Sequence, residues 1–107
     1  MASLPTPCLV GIFANMKAKK LLKERFVLSP VAFAEVVVWQ LPEPVAASVH
    51  HFKYRLALVV NGECVLRYDN EAGKGDHKHV GGDEIQYEFT SIESLVDDFW
   101  RDAEKWR

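Results

Sequence analysis

Residues 52–69 read FKYRLALVVNGECVLRYD, and this stretch decides the fold. Two runs rich in β-branched and aromatic residues flank the dipeptide Asn61-Gly62. Both central residues of a type I′ turn need positive φ, which asparagine and glycine adopt most readily. The stretch therefore predicts a tight antiparallel hairpin, in which Val60 pairs with Glu63.

The register of this hairpin determines which side chains share a face of the sheet. One-to-one pairing from the turn places Arg55 opposite Tyr68. It likewise places Lys53 opposite Asn70. Because side chains alternate between the two faces of a strand, Lys53, Arg55 and Tyr68 are expected on one face, at the end away from the turn.

Three further strands and one helix are expected outside the hairpin. The strands are residues 20–28, 33–41 and 84–89. Thr90 and Glu93 form a capping box, with Ser91 as the alternative cap, and apolar residues then recur at helical spacing as far as Trp106. This apolar stripe must lie on the sheet or pair with a second copy of the chain. We predict an α+β fold, an antiparallel sheet of about five strands with a C-terminal amphipathic helix packed on one face.

The composition fits one small globular domain. The chain has 107 residues, of which 49% are apolar, and a formal net charge of −2. That net charge argues against a general nucleic-acid binder, but residues 17–25 are basic and the chain from Asp83 onward is acidic. Cys8 and Cys64 have no zinc or redox spacing, so Cys64 is expected to be a buried free thiol in a cytoplasmic protein. No apolar run is long enough to cross a membrane.

The first fifteen residues differ from the rest. They contain Pro5, Pro7 and Gly11 and show no periodicity, whereas Met16 opens a basic, patterned segment. We therefore divide the chain into an extension, residues 1–15, and a single domain, residues 16–107. The extension is expected to be mobile or to pack on a neighbouring subunit, and Met16 is a candidate for the natural start of the protein.

Residues 67–79, RYDNEAGKGDHKH, carry the densest set of chemically useful side chains. They are expected to form a loop between the hairpin and the next strand. Gly73 and Gly75 allow positive φ and a close approach of the backbone to phosphate. Histidine is the residue type suited to proton transfer near neutral pH, and His77 and His79 are two residues apart, so in extended backbone they share a face.

These residue types suit phosphodiester cleavage by the 2′-hydroxyl of RNA, which needs a base, an acid and cations but no metal or cofactor. His77 and His79 are the candidate acid and base, with Asp76 or Asp69 orienting one ring. The remaining candidates are the catalytic groups Lys74 and Tyr68 and the phosphate-binding residues Lys53, Arg55, Arg67, Asn70, Gly73 and Gly75.

Two other interpretations remain open. The histidines are also candidate ligands of a metal-dependent nuclease, with Asp76, Asp83 or Glu84 as the third ligand. Alternatively, the basic residues belong to a module that binds RNA or protein and inhibits it without chemistry.

Three segments, KERFVLSPVAFAEVVVWQLPEPV (23–45), HFKYRLALVVNGECVLRYDNEAGKGDHKH (51–79) and YEFTSIESLVDDFW (87–100), resemble the TumE-type toxins of bacterial and archaeal toxin–antitoxin modules. The resemblance covers nearly all of residues 16–106 and is most specific at RYDNEAGKGDHKH. It implies a small cytoplasmic toxin encoded beside a helix-turn-helix antitoxin. The positions that match the most specific part are Arg67, Tyr68, Asp69, Asn70, Gly73, Lys74, Gly75, Asp76, His77 and His79.

Overall fold

A computed structural model describes residues 18–44, 48–70 and 75–106. The expected extension, residues 1–15, and two of the candidate site residues, Gly73 and Lys74, lie outside the described residues. Within the described ranges, no helix is long and apolar enough to span a membrane.

The described chain forms one antiparallel sheet of six strands and one helix, in simple sequential order. The strands are β1 (Lys19–Ser29), β2 (Ala32–Gln40), β3 (Phe52–Val60), β4 (Glu63–Asp69), β5 (His77–Val80) and β6 (Asp83–Gln86). Helix α1 (Ile92–Ala103) follows and ends in a short 3₁₀ turn, Glu104–Trp106. The predicted α+β class is confirmed, with six strands in place of about five.

The β3–β4 hairpin turns as predicted. Asn61 and Gly62 have φ of 54° and 78°, and Val60 pairs with Glu63. The register beyond the turn differs from the prediction, because a β-bulge interrupts the ladder: Val59 pairs with Cys64, whereas Leu58 pairs with Leu66. Val65 is therefore an extra residue on β4.

The bulge changes the face on which part of β4 lies. Arg55 pairs with Asp69, and Leu56 pairs with Tyr68. Tyr68 therefore shares a face with Leu56, and the prediction that it shares one with Arg55 is wrong. A one-residue slip in pairing exchanges the two faces of a strand, and the bulge produces such a slip here.

The segment that contains the histidines is a strand and not a loop. β5 and β6 form a second hairpin around Gly81 and Gly82, and Gly81 has φ of 61°. A two-residue Gly-Gly connection is a known hairpin signal. His77 and His79 are consequently held by backbone pairing to Asp69 and Arg67 of β4.

One face of the sheet packs against α1 and forms the core, and we call it the helix face. The buried side chains of this core are Ala34, Val36, Val38, Tyr54, Leu56, Leu58, Leu66, Tyr68, Leu95, Phe99 and Ala103. Ser91, the alternative cap in the prediction, is the residue that caps α1, because its hydroxyl accepts a hydrogen bond from the Ser94 amide. Such a cap stabilises a helix by about 1 kcal/mol.

The opposite face of the sheet, which we call the outer face, carries rows of polar side chains. Cross-strand pairs place Arg55, Asp69 and His77 side by side on β3, β4 and β5. In the next row, Arg67 lies beside His79. Cys64, expected to be buried, is an exposed free thiol near the hairpin turn.

Candidate active site on the outer face

The centre of the site is the carboxylate of Asp69, which contacts two cationic or titratable groups. Its Oδ1 lies 2.7 Å from Nε2 of His77, and its Oδ2 lies 2.9 Å from Nε of Arg67. Asp69 is 6% exposed and His77 5% exposed, so both are almost fully removed from solvent. The electrostatic attraction between these groups is stronger here than it would be at an exposed position.

The ring of His77 has an oxygen acceptor at each nitrogen. Nδ1 lies 2.9 Å from the carbonyl oxygen of Gly75, which can only accept, so Nδ1 carries a proton. Nε2 faces Asp69 Oδ1. A lone pair on Nε2 would repel the carboxylate oxygen, so the arrangement is favourable only with a proton or another cation between the two atoms. Gly75 has a positive φ of 78°, and in this conformation its carbonyl oxygen faces Nδ1 of His77.

His79 completes the cluster. Its ring centroid lies 5.0 Å from that of His77, at an interplanar angle of 78°. Its Nε2 is buried and makes no hydrogen bond among the described residues. Burial lowers the pKa of His79 below its ordinary value of 6.5, and the charge of Arg67 lowers it further, against a smaller opposite effect of Glu84. His79 is therefore mainly neutral at pH 7, with a nitrogen able to accept a proton.

Asp69, His77 and His79 lie close enough to share one ligand. One donor atom from each side chain can be chosen such that all three lie within 4.8 Å of one another. The sequence had suggested Asp76, Asp83 or Glu84 as the third member of such a group. The carboxylate that lies beside both rings belongs to Asp69, which the sequence had indicated only as a residue that orients a histidine.

Two arginines and a lysine share the outer face with this cluster. Arg67 is one-third exposed and contacts Asp69. Arg55 pairs with Asp69 from the β3 side, and Lys53 lies two residues further along β3, opposite Trp39. The structure thus brings Arg55, Arg67, His77 and His79 together on one face, with Lys53 at its margin.

Asp76 does not join this cluster. Its carboxylate accepts hydrogen bonds from the hydroxyls of Ser48 and Tyr54, at 2.9 Å and 2.7 Å. His50 donates a third through Nε2, at 2.6 Å, since its Nδ1 accepts from the Phe52 amide. Asp76, immediately before β5, is therefore joined to β3 and to the segment before β3, and it orients His50 rather than either candidate histidine.

Asn70, like Asp76, holds neighbouring parts of the chain together. It is completely buried, accepts a hydrogen bond from the Tyr54 amide and donates to the Phe52 carbonyl. Asn70 and Asp76 thus anchor the two ends of the segment between β4 and β5 to the same part of β3. Apart from the presence of both residues in one short stretch, no sequence pattern indicates this role.

Tyr68 lies on the helix face, where it connects the sheet to α1. Its hydroxyl donates to Asp102 Oδ2 at 2.5 Å, and Lys78 donates to the same oxygen at 2.9 Å. Burial and the Asp102 carboxylate raise the pKa of Tyr68 far above its ordinary value of 10. A phenol so placed holds its proton and does not reach the outer face.

The fold and the cluster define a small α+β domain with titratable and cationic side chains grouped on one face of its sheet. A family model described as Toxin TumE matches residues 14–107. Since the match covers nearly the whole chain, this protein belongs to the TumE toxin family, as the resemblance predicted. Membership implies a toxin function and a cognate antitoxin. No curated protein and no solved structure matches the chain.

Proposed function

We propose that this toxin acts on RNA as a metal-independent endoribonuclease, with its active site at Asp69, His77 and His79. The observation that supports the proposal is the 5.0 Å separation of the two imidazole rings beside Arg67 and Arg55. Cleavage by the 2′-hydroxyl needs a proton acceptor and a proton donor close together, with cations for the phosphate.

In the proposed reaction, binding of RNA exposes Nε2 of the partly buried His79, and this nitrogen takes the proton of the 2′-hydroxyl. Before RNA binds, Nε2 is neutral and makes no hydrogen bond among the described residues. The 2′-oxygen forms a bond to the neighbouring phosphorus, and the bond from phosphorus to the 5′-oxygen breaks. His77 gives the Nε2 proton that it shares with Asp69 to the departing 5′-oxygen. The products are a 2′,3′-cyclic phosphate and a 5′-hydroxyl.

The arginines stabilise the charge that develops on the phosphorane. Arg67 is the better placed, since it is partly exposed and already holds an anionic oxygen of Asp69 at 2.9 Å. A guanidinium offers a planar fork of donors that matches two phosphate oxygens. Arg55 and Lys53 extend the positive surface along β3 and bind adjacent phosphates.

The test is incubation of the purified chain with cellular RNA in the presence of a chelator. We expect fragments that end in cyclic phosphate, and their loss in His79→Ala. The matched control is His51→Ala, because His51 is exposed and lies outside the cluster. RNA that stays intact with the wild-type chain, with or without added metal, would exclude the nuclease.

A second candidate is inhibition by binding alone, which the small exposure of His77 favours. In this case the basic residues dock RNA or an acidic protein, and His77 and Asp69 only stabilise the sheet. Charge reversal at Lys53 and Lys74 would abolish toxicity in cells, whereas replacement of both histidines would leave it intact. For the nuclease, in contrast, replacement of both histidines should abolish toxicity.

We propose that the cognate antitoxin is a helix-turn-helix protein and that both act in the cytoplasm. The resemblance to toxin–antitoxin modules supports this proposal. Growth arrest on expression of the chain, relieved by co-expression of the neighbouring gene, is the expected result. Arrest that the neighbouring gene does not relieve would contradict the pairing.

A further inference from the structure

We infer that Asp69, His77 and His79 form a binding site for a divalent cation of the Zn²⁺ type, and that its occupation inhibits RNA cleavage. The binding part stands on the geometry of the three side chains alone. The inhibitory part rests on the proposed function, because it assumes that the same imidazoles carry the protons of the reaction.

The first argument is the composition and spacing of the donors. Two imidazole nitrogens and one carboxylate oxygen are a common set of protein ligands for zinc in sites that leave one position open. The three donor atoms lie within 4.8 Å of one another. Two ligands of a tetrahedral zinc ion are about 3.3 Å apart, given metal–ligand distances of about 2.0–2.1 Å. Side-chain adjustments of the order of 1 Å would therefore complete the site.

The second argument is the way in which His77 is held. Metal-binding histidines usually donate their other ring nitrogen to a carbonyl or carboxylate, which fixes the ring and the tautomer. His77 makes this contact through Nδ1 to the Gly75 carbonyl, and Nε2 points at Asp69 Oδ1 at 2.7 Å. A cation is needed between these two atoms. A metal ion supplies it when Nε2 has released its proton.

The third argument is the state of His79. Its Nε2 is buried and has no hydrogen-bond partner among the described residues. A buried polar atom of this kind destabilises the fold if nothing binds it. Coordination of a metal ion would satisfy this atom together with Nε2 of His77.

The contact of Asp69 with Arg67 is compatible with the site. Nε of Arg67 lies 2.9 Å from Oδ2 and holds the carboxylate plane, while Oδ1 faces Nε2 of His77. The guanidinium charge opposes the binding of a second cation nearby and so limits the affinity. A modest affinity is what a regulatory site needs, since a resident structural ion would not respond to changes in free metal concentration.

Occupation of the site would stop the proposed reaction for a simple reason. The lone pair that His79 needs to accept the 2′-hydroxyl proton would be bound to the metal ion. The proton that His77 donates from Nε2 would have been displaced. Cleavage would therefore cease without any change in fold.

The test uses Co²⁺ as a spectroscopic probe on the full chain after treatment with chelator. We expect visible ligand-field absorption that saturates at one ion per chain and is displaced by Zn²⁺. Asp69→Asn and His79→Ala should weaken binding by at least about tenfold, whereas the control His51→Ala should bind as the wild type does. Absence of saturable absorption, or unchanged binding in both site variants, would overturn the inference.

A second measurement uses only the wild-type chain, so its result does not depend on whether the variants fold. Nitrogen NMR of the wild-type imidazoles on addition of Zn²⁺ should shift Nε2 of His77 and of His79 and preserve the Nδ1 proton of His77. Shifts confined to His50 or His51 would overturn the site.

RNA cleavage measured with and without one equivalent of Zn²⁺ then separates the two proposals. Loss of cleavage on addition of metal supports inhibition, and undiminished cleavage by the metal-bound chain refutes it. Cleavage that requires metal would keep the site, refute inhibition and replace the metal-independent nuclease by a metal-dependent one. Metal binding without cleavage under any condition would refute the nuclease and the inhibition, and would leave the cation site standing.

Discussion

Asp69 Oδ1 and His77 Nε2 face each other across β4 and β5 at 2.7 Å, and both side chains are more than nine-tenths buried. A carboxylate and an imidazole at this distance require a proton or a metal ion between them. Both the proposed reaction and the proposed metal site depend on this contact. Substitution of His79 and of Arg67, which lie beside this contact, tests the role of each residue separately.

Replacement of His79 by alanine should lower the rate of RNA cleavage in chelator by about 10²–10⁴-fold, the usual contribution of a general base. Because the His79 side chain is only partly buried, the variant should unfold at nearly the wild-type urea concentration. The measurement is the initial rate of formation of cyclic-phosphate ends. A rate within about twofold of that of His51→Ala would exclude His79 as the base.

Replacement of Arg67 by glutamine should change the pH dependence of cleavage as well as its rate. Burial and the Arg67 charge together lower the pKa of His79, and cleavage falls as the pH drops through that pKa because the base becomes protonated. Without the guanidinium the pKa of His79 rises, so the acidic limb of the pH–rate profile should move to higher pH. A limb that stays in place or moves to lower pH would contradict the assignment of His79 as the base.

Arg67→Gln should also weaken the binding of single-stranded RNA. One lost phosphate contact lowers the slope of log affinity against log salt concentration by about 0.7. Filter binding at several salt concentrations measures this slope. Arg25→Gln is a suitable control, because Arg25 lies on β1 and pairs with Glu35.

Tyr68→Phe should reduce stability and spare the chemistry. Loss of the hydrogen bond to the Asp102 carboxylate should lower the free energy of unfolding by about 1.5–3 kcal/mol. Cleavage by the folded variant should stay within about twofold of the wild-type rate, since Tyr68 lies on the helix face. A large loss of rate in a stable variant would restore Tyr68 to the active site.

The pH dependence of this stability effect has a defined sign. Burial alone would raise the pKa of Asp102, but the hydrogen bonds from Tyr68 and Lys78 outweigh it and hold that pKa below 3.8. The stabilisation is therefore fully present above about pH 3.8, the value for the unfolded chain, and is lost as the pH falls through the lower folded value. The difference in stability between wild type and Tyr68→Phe should accordingly shrink below that pH in urea titrations.

Local signals explain how much of the fold could be predicted. Asn61-Gly62 fixed a turn that needs positive φ at two positions, and the spacing of apolar residues after Ser91 fixed the helix. The bulge at Val65 could not be predicted, because Cys64, Val65 and Leu66 fit a regular strand equally well. The second hairpin had a signal in Gly81-Gly82, but the polar residues before it resembled a loop.

The site was predictable only in part, because it also depends on the β-bulge, which has no signal in the sequence. His77 and His79 share a face in any extended backbone, so their proximity followed from spacing alone. The position of Asp69 beside them depends on the register set by the bulge, and so does the displacement of Tyr68 to the other face. Cross-strand partners are long-range properties that sequence spacing does not contain.

Deletion of Val65 tests whether pairing partners determine the faces of β4. Without Val65, Cys64 would still pair with Val59 and Leu66 with Leu58, so Arg67 and Asp69 should remain on the outer face. The cost should be about 1–3 kcal/mol in the free energy of unfolding, because partial burial of Val65 and the hydrogen bond from the Gly81 amide to its carbonyl are lost. Urea denaturation measures the cost, and RNA cleavage reports on the site. A deletion variant that fails to fold would show instead that the local twist of the bulge is required for α1 to pack on the sheet, since the one-to-one ladder itself remains possible.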